Sequence, residues 1–259
     1  MCLIFIAYRT IPGCPLLLAA NRDEFYARPT AAAAFWPQAP AVFGGRDLQG
    51  GGSWLGLTRQ GRLAAITNYR NLAEVSGVGA DKRSRGLLVS DFLTGEATAA
   101  EYLAELAQQG EEYRGFNLLL GDAGGLHYYS NRGGAPRPLA PGLYGLSNHL
   151  LDTPWPKVAE GKRAISRLPA GGMPTEAALF DLLADRTQAP DALLPDTGLS
   201  REWERLLSSR FIHSPDYGTR ASTLVMVDER GETRFVERSF GPDGNLLGEV
   251  RQSFLFVVS

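Results

Sequence analysis

The chain has 259 residues, 44% of them apolar and 21% charged, and its 26 basic against 28 acidic residues leave a net charge of -2. These proportions are those of a globular protein and exclude a disordered tail, a coiled coil or a collagen. There is no basic excess for a phosphate backbone, no apolar run near the roughly 18 residues of a membrane span, and no basic flank before the apolar start of a secretory signal. The expectation is a cytoplasmic protein with neither a nucleic-acid partner nor a transmembrane segment.

In chain order, residues 2–9 and 16–21 read as two apolar strands joined through Ile11-Pro12-Gly13-Cys14, where Pro followed by Gly marks a type II turn. With the hairpin centred there, Phe5 faces Ala20 and Cys2 faces Asp23. A slip of one or two positions still leaves Cys2 beside Asn21-Arg22-Asp23-Glu24. Residues 27–43, rich in Ala and Pro, read as irregular. Glycine, 30 residues against a usual share of about 7%, clusters at 44–56. That cluster has neither the Lys-Ser/Thr ending of a phosphate loop nor the Rossmann spacing, so it predicts tight turns or backbone brought close to a ligand.

A second hairpin is expected at 54–58 and 63–68, then a loop at 69–83. Helices follow at 84–94 and 97–109, the latter with Tyr102, Leu103 and Leu106 on one face. A third hairpin spans 116–120 and 126–130, and a short strand 143–147. Further helices are expected at 157–167, 175–185 and 200–209. Strands at 221–227, 233–240 and 247–258 close the chain around the turns Asp228-Glu229-Arg230-Gly231 and Gly241-Pro242-Asp243-Gly244. Hairpin connections throughout, with strands at both ends and helices between, predict an α+β fold on antiparallel sheets, as one domain over 1–259.

Chemistry gathers at few residues. Removal of Met1 would give Cys2 a free α-amine of pKa about 7.7–8.0, able to act as base for its own thiol; the plain alternative is a small apolar residue of an edge strand. In Asn21-Arg22-Asp23-Glu24 a carboxylate can orient that amine and Arg22 can grip a substrate carboxylate, or the four residues are an ordinary polar strand end. Asn148 and Asn68 offer amides as oxyanion donors or as turn caps. Arg220 precedes a buried strand and points either into a pocket or to the surface. Cys14-Pro15 resembles the Cys-Pro pairs of haem thiolate ligation, but Cys14 reads rather as an exposed turn thiol. His127, His149 and His213 match no zinc spacing.

With these residues in place the chain resembles the NRDE family, named for the tetrapeptide at Asn21–Glu24, whose eukaryotic members are the transport and Golgi organisation 2 proteins. The blocks that carry the resemblance are Met1-Cys2, Asn21–Glu24, Gly51–Gly56, Thr67–Asn71, Ser147-Asn148 with Trp155-Pro156-Lys157, and Tyr217–Arg220. The eukaryotic members are linked to secretory organisation, to lipid or acyl-CoA handling and to haem trafficking. More distantly, the layout is similar to the N-terminal-nucleophile (Ntn) cysteine hydrolases of the penicillin V acylase and bile salt hydrolase group. That likeness implies a four-layer αββα sandwich with two stacked antiparallel sheets, Cys2 as nucleophile and Asp23 as the motif aspartate. It also implies oxyanion donors beside Asn68-Tyr69 and at Asn148, with Arg220 matching a later arginine. The pattern departs at Ala20, where the group has its first motif arginine; Arg22 comes two places later.

The resulting expectation is a hydrolase of a non-peptide amide bond or acyl group. Cys2, Asp23, Asn148 and Asn68 are its catalytic residues, and Arg22, Asn21, Tyr69, Arg220 and Trp54 its substrate contacts, with no metal or cofactor required. The alternative is a binding protein on the same scaffold that carries a lipid, an acyl-CoA or haem, with Trp36, Trp54, Tyr69 and the glycine-rich segment lining its pocket.

Overall fold

The computed structural model describes residues 2–70, 72, 82–168 and 172–255. Met1, Asn71, most of the predicted 69–83 loop and residues 256–258 of the predicted last strand lie outside the described residues. The strands are, in order, β1 (Cys2–Ile11), β2 (Cys14–Phe25), β3 (Thr30–Trp36), β4 (Ala39–Asp47), β5 (Leu55–Thr58), β6 (Leu63–Asn68) and β7 (Phe116–Asp122). Then come β8 (Gly125–Ser130), β9 (Arg137–Pro138), β10 (Gly142–Leu146), β11 (Tyr217–Val227), β12 (Glu232–Phe240) and β13 (Leu246–Leu255). The helices are α1 (Gly86–Thr94), α2 (Ala99–Gln109), α3 (Pro156–Ser166), α4 (Glu176–Leu183) and α5 (Arg201–Leu206). None of the described helices is long and apolar enough to cross a membrane.

Two compact units divide the chain. The first comprises Met1–Ala27, Pro141–Ser147 and Leu151–Phe254. Its six-stranded sheet runs β10-β1-β2-β11-β12-β13. The uninterrupted apolar runs of β1 and β2 predict strands buried on both faces, and Leu3 to Ala7 and Leu17 to Ala20 are all buried. Leu3, Phe5, Ala7, Leu17, Ala19, Leu224 and Met226 form one face of a core completed by Val158 and Ile165 of α3 and Leu179, Phe180 and Leu183 of α4. Helix α3 lies so close to β1 that a Cβ on Gly161 would fall 2.0 Å from the Phe5 ring.

The first hairpin corrects the expected register. At the turn Ile11 does oppose Cys14, but a bulge between Tyr8 and Ile11 absorbs one extra residue of β1. Arg9 sits there with φ of 53°. Beyond the bulge Phe5 opposes Ala19 and Cys2 opposes Arg22, one position short of Asp23. Cys14 is also corrected: it is buried, not exposed, because it opens β2 against the α3–α4 core.

The second unit comprises Arg28–Ala140, Asn148–Leu150 and Leu255–Ser259. Its seven strands, β3 to β9, pair in sequence order as an antiparallel meander. Helices α1 and α2 cover a core that includes Ala64, Ile66, Leu88, Phe92, Leu103, Phe116 and Leu118. A capping box starts α2, with Thr98 and Glu101 each bonding the other's backbone. The segment 27–43, expected to be irregular, instead forms β3 and most of β4. Alanine is a weak strand former, but here a tight Trp36-Pro37-Gln38-Ala39 corner and the Phe35–Phe43 ring pair, centroids 5.1 Å apart, hold the hairpin. The glycine cluster serves close backbone approach within this unit: a Cβ on Gly52 would lie 2.3 Å from the Gly86 backbone.

Candidate functional site

Within the first unit, the β1–β2 register sets the chemistry. Opposed residues share a sheet face, so Cys2 projects with Arg22, and Asp23 alternates to the face that Asn21 occupies. Cys2 is half-buried, while Arg22 and Asp23 are 6% and 1% exposed. Asp23 opposes Thr219 of β11, whose Oγ1 donates to Asp23 Oδ1 at 2.7 Å. The same hydroxyl accepts from the Ile212 N–H at 2.9 Å, which fixes its direction. Lys157, near the start of α3, is 3% exposed and exerts the strongest stabilising charge on the Asp23 carboxylate. Burial outweighs it and raises the Asp23 pKa above the ordinary carboxylate value. Burial also pushes the Cys2 thiol up; Asp23 and Glu24 add to the rise and Arg22 opposes it. The thiol is therefore protonated at neutral pH, and any attack by its sulfur needs a base.

Asn21 is held by the fold. Its Nδ2 donates to the Leu183 and Arg210 carbonyls at 2.9 and 2.8 Å, and its Oδ1 accepts from Ser222 Oγ at 2.6 Å. Arg220 is the extra residue of a β11 bulge between Thr219 and Ala221. Its Nη1 donates to the Phe25 and Tyr26 carbonyls at 3.0 and 3.3 Å. Burial and, next, repulsion from Arg22 lower its pKa. Gly218 favours glycine, since a Cβ there would meet the Ile212 carbonyl at 2.8 Å as well as the Tyr26 hydroxyl at 2.1 Å.

The remaining expected residues belong to the second unit. Asn148, fully buried, donates Nδ2 to the Asn68 carbonyl at 3.0 Å, and its own carbonyl accepts from the Arg70 N–H at 2.7 Å. The Tyr69 N–H donates to the Gly115 carbonyl at 2.9 Å. The Tyr69 hydroxyl meets His149 Nε2 at 2.8 Å, and burial lowers the His149 pKa. Trp54 stacks its ring edge on Gly45, where a Cβ would lie 2.2 Å away. Trp36 is a correction: it is a core residue, 3% exposed, whose Nε1 donates to the Gly44 carbonyl at 3.0 Å, so it lines no ligand pocket. Ser147, directly before Asn148 in sequence, lies in the first unit and donates Oγ to the Cys2 carbonyl at 3.3 Å.

Sequence reasoning missed Lys157, Thr219 and Ser147 as neighbours of the site. For Lys157 a signal existed. It occupies the stripe Lys157, Val158, Gly161, Ile165 that α3 buries, where a lysine is out of place without a buried partner charge. For Thr219 and Ser147 nothing short of the strand pairing identifies them.

Residues 1–242 match the family model described as Transport and Golgi organisation 2. The Transport and Golgi organization protein 2 homolog of Bos taurus is 40% identical, covering 92% of this chain and 93% of its own. Transport and Golgi organization protein 2 of Drosophila melanogaster is 30% identical, with 92% of each covered. Among solved structures, the Caenorhabditis elegans N-acylethanolamine-hydrolyzing acid amidase (NAAA) ortholog is similar at a TM-score of 0.50 and 14% identity, over 86% of this chain and 91% of that one. At that identity the likeness shows the α+β, Ntn-hydrolase-like fold and does not extend to chemistry. On the family match and the relatives aligned over nine-tenths of its length, the chain belongs to the Transport and Golgi organisation 2 family.

Proposed function

We propose that the chain is an N-terminal-nucleophile hydrolase or acyltransferase acting on a non-peptide amide bond, with Cys2 as nucleophile. The observation that most supports this reading is a half-buried Cys2 at the start of β1, opposite Arg22 and one position along β2 from the deeply buried Asp23, in a fold shared with an amidase. A protonated thiol needs a base, and removal of Met1 would supply one as the α-amine of Cys2 itself. The sulfur attacks the carbonyl carbon, and the amine takes the thiol proton and gives it to the leaving nitrogen as the C–N bond breaks. Water, or a second amine in acyl transfer, then releases the acyl group from sulfur.

Asp23 positions the amine; Thr219 and Lys157 position Asp23. Arg22, on the Cys2 face, and Arg220 favour a substrate with an anionic head group. Both cysteines are free thiols, which suits a reducing, cytoplasmic setting.

An electrophilic acyl probe followed by peptide mapping and intact-mass measurement tests this. The expected result is Met1 absent and the label on Cys2, lost in Cys2→Ser. Met1 retained, or a label confined to Cys14, overturns the reading. Lipid, acyl-CoA or haem binding that survives Cys2→Ser, with no amide cleavage by either form, would establish the binding protein instead.

A further inference from the structure

Strand β13 is the outer strand of the first unit's sheet, paired to β12 on one side and to no strand among the described residues on the other. It is ten residues long, and all of Leu246 to Glu249 are exposed, with Leu246 and Leu247 at 57% and 68%. Natural proteins blunt so long an edge with proline, bulges or charged side chains; this one has no proline, and its two charges are of opposite sign and bonded to each other. Glu249 and Arg251 flank Val250 and bond each other at 2.7 Å. They are tied in turn to Arg238 of β12 at 2.8 Å and to Glu176 of α4 at 2.7 Å.

The order Glu-Val-Arg is antisymmetric about Val250. A second strand of the same sequence, laid antiparallel with its Val250 opposite this one, sets Glu249 against Arg251 of the second copy and Arg251 against Glu249 of the second copy. Opposed residues must share a face, so the two edges can slide only in steps of two. One step either way sets Glu249 against Glu249 or Arg251 against Arg251, and like charges directly opposed are destabilising. The charge pattern thus favours the Val250-centred register over both neighbouring ones, and that register closes on two copies because each edge is consumed.

We propose that β13 is a self-pairing edge, through which two copies of this chain join about Val250 into one continuous antiparallel sheet. The inference is independent of any role for Cys2. Sedimentation of the full chain across a wide range of concentration should show a species of twice the chain mass that dissociates on dilution. Glu249→Lys alone should return it to monomer, and Glu249→Lys with Arg251→Glu should restore the dimer, circular dichroism confirming the fold each time.

Positional cross-linking reads the register without touching the charges. Opposed Cα atoms of an antiparallel pair lie about 4.5–5.5 Å apart, within disulfide reach. Val250→Cys should therefore form a covalent dimer under mild oxidation, mapped to a 250–250 link. Gly248→Cys and Gln252→Cys should each form no covalent dimer alone and link to one another when mixed. A chain that remains monomeric throughout and cross-links no faster at 250 than at 248 or 252 overturns the proposal, as does a dimer indifferent to the charge variants.

Discussion

Asp23 is almost fully buried, with one threonine hydroxyl on Oδ1 and a buried lysine nearby. Its folded pKa lies above its unfolded one, so the fold favours the protonated form. That contribution is complete below the unfolded carboxyl pKa of about 3.9 and is lost as pH rises through the raised native value. Asp23→Asn removes the dependence. In denaturant titrations the stability difference between the two forms should move in favour of the variant as pH rises from acid to neutral. A difference that stays flat with pH would contradict the burial argument. Lys157→Met removes the strongest opposing charge and should carry the fall to higher pH. Thr219→Val strips the 2.7 Å bond and should cost about 1–3 kcal/mol by the same titration. Against an amide substrate, Cys2→Ser should lose about 10³-fold or more in rate and Asp23→Asn about 10²-fold, with Asp23→Asn still folded by circular dichroism. Of these residues Cys2 and Asp23 were legible in the sequence, because a cysteine behind the initiator and a carboxylate closing an apolar strand are conspicuous. Thr219, nearly two hundred residues downstream, depends on strand pairing that one sequence does not display.

Among the elements, α3 is tightly constrained where Gly161 meets β1. Alanine ordinarily stabilises a helix interior relative to glycine by about 0.5–1 kcal/mol. At Gly161 the new methyl would meet the Phe5 ring, so Gly161→Ala should instead lower stability by about 1–3 kcal/mol, seen as a lower urea midpoint at unchanged slope. Phe5→Leu in the same chain should recover part of the loss. Thr98→Ala, which opens the capping box of α2, should cost about 1 kcal/mol by the same measurement. Helix positions were readable because their apolar residues recur at helical spacing over two or three turns. The β3–β4 hairpin was not, since its four consecutive alanines (Ala31 to Ala34) carry no strand preference and only the aromatic pair across the turn holds them. The bulges at Arg9 and Arg220 were equally hidden, because each is set by twist and packing and not by a residue type that announces it.

At the scale of the whole chain, the α+β class and antiparallel pairing followed from hairpin signals at both termini, since short polar turns cannot connect parallel strands. The division into two compact units did not, for no linker-like composition marks it: Ala27 and Arg28 adjoin between Phe25-Tyr26 and Pro29 with no run of linker residues, and residues 148–150 change unit without a break in pattern. Net charge gives a further expectation. With a pI near 6.0 the chain should bind an anion exchanger at pH 8 and pass through heparin at physiological salt. Retention on heparin would mean that a basic patch outweighs the overall balance.

The extra residue at Arg9 has a last consequence, for how this hairpin can change in evolution or by design. It works as a vernier. Adding or deleting a single residue between Tyr8 and Leu16 would rotate every side chain from Cys2 to Ala7 onto the reverse side of the ribbon, exchanging Leu3, Phe5 and Ala7 for Ile4 and Ile6. The thiol would leave the side it shares with Arg22. Length changes here should therefore be tolerated in twos, or singly only when the kink at Arg9 is gained or lost to compensate.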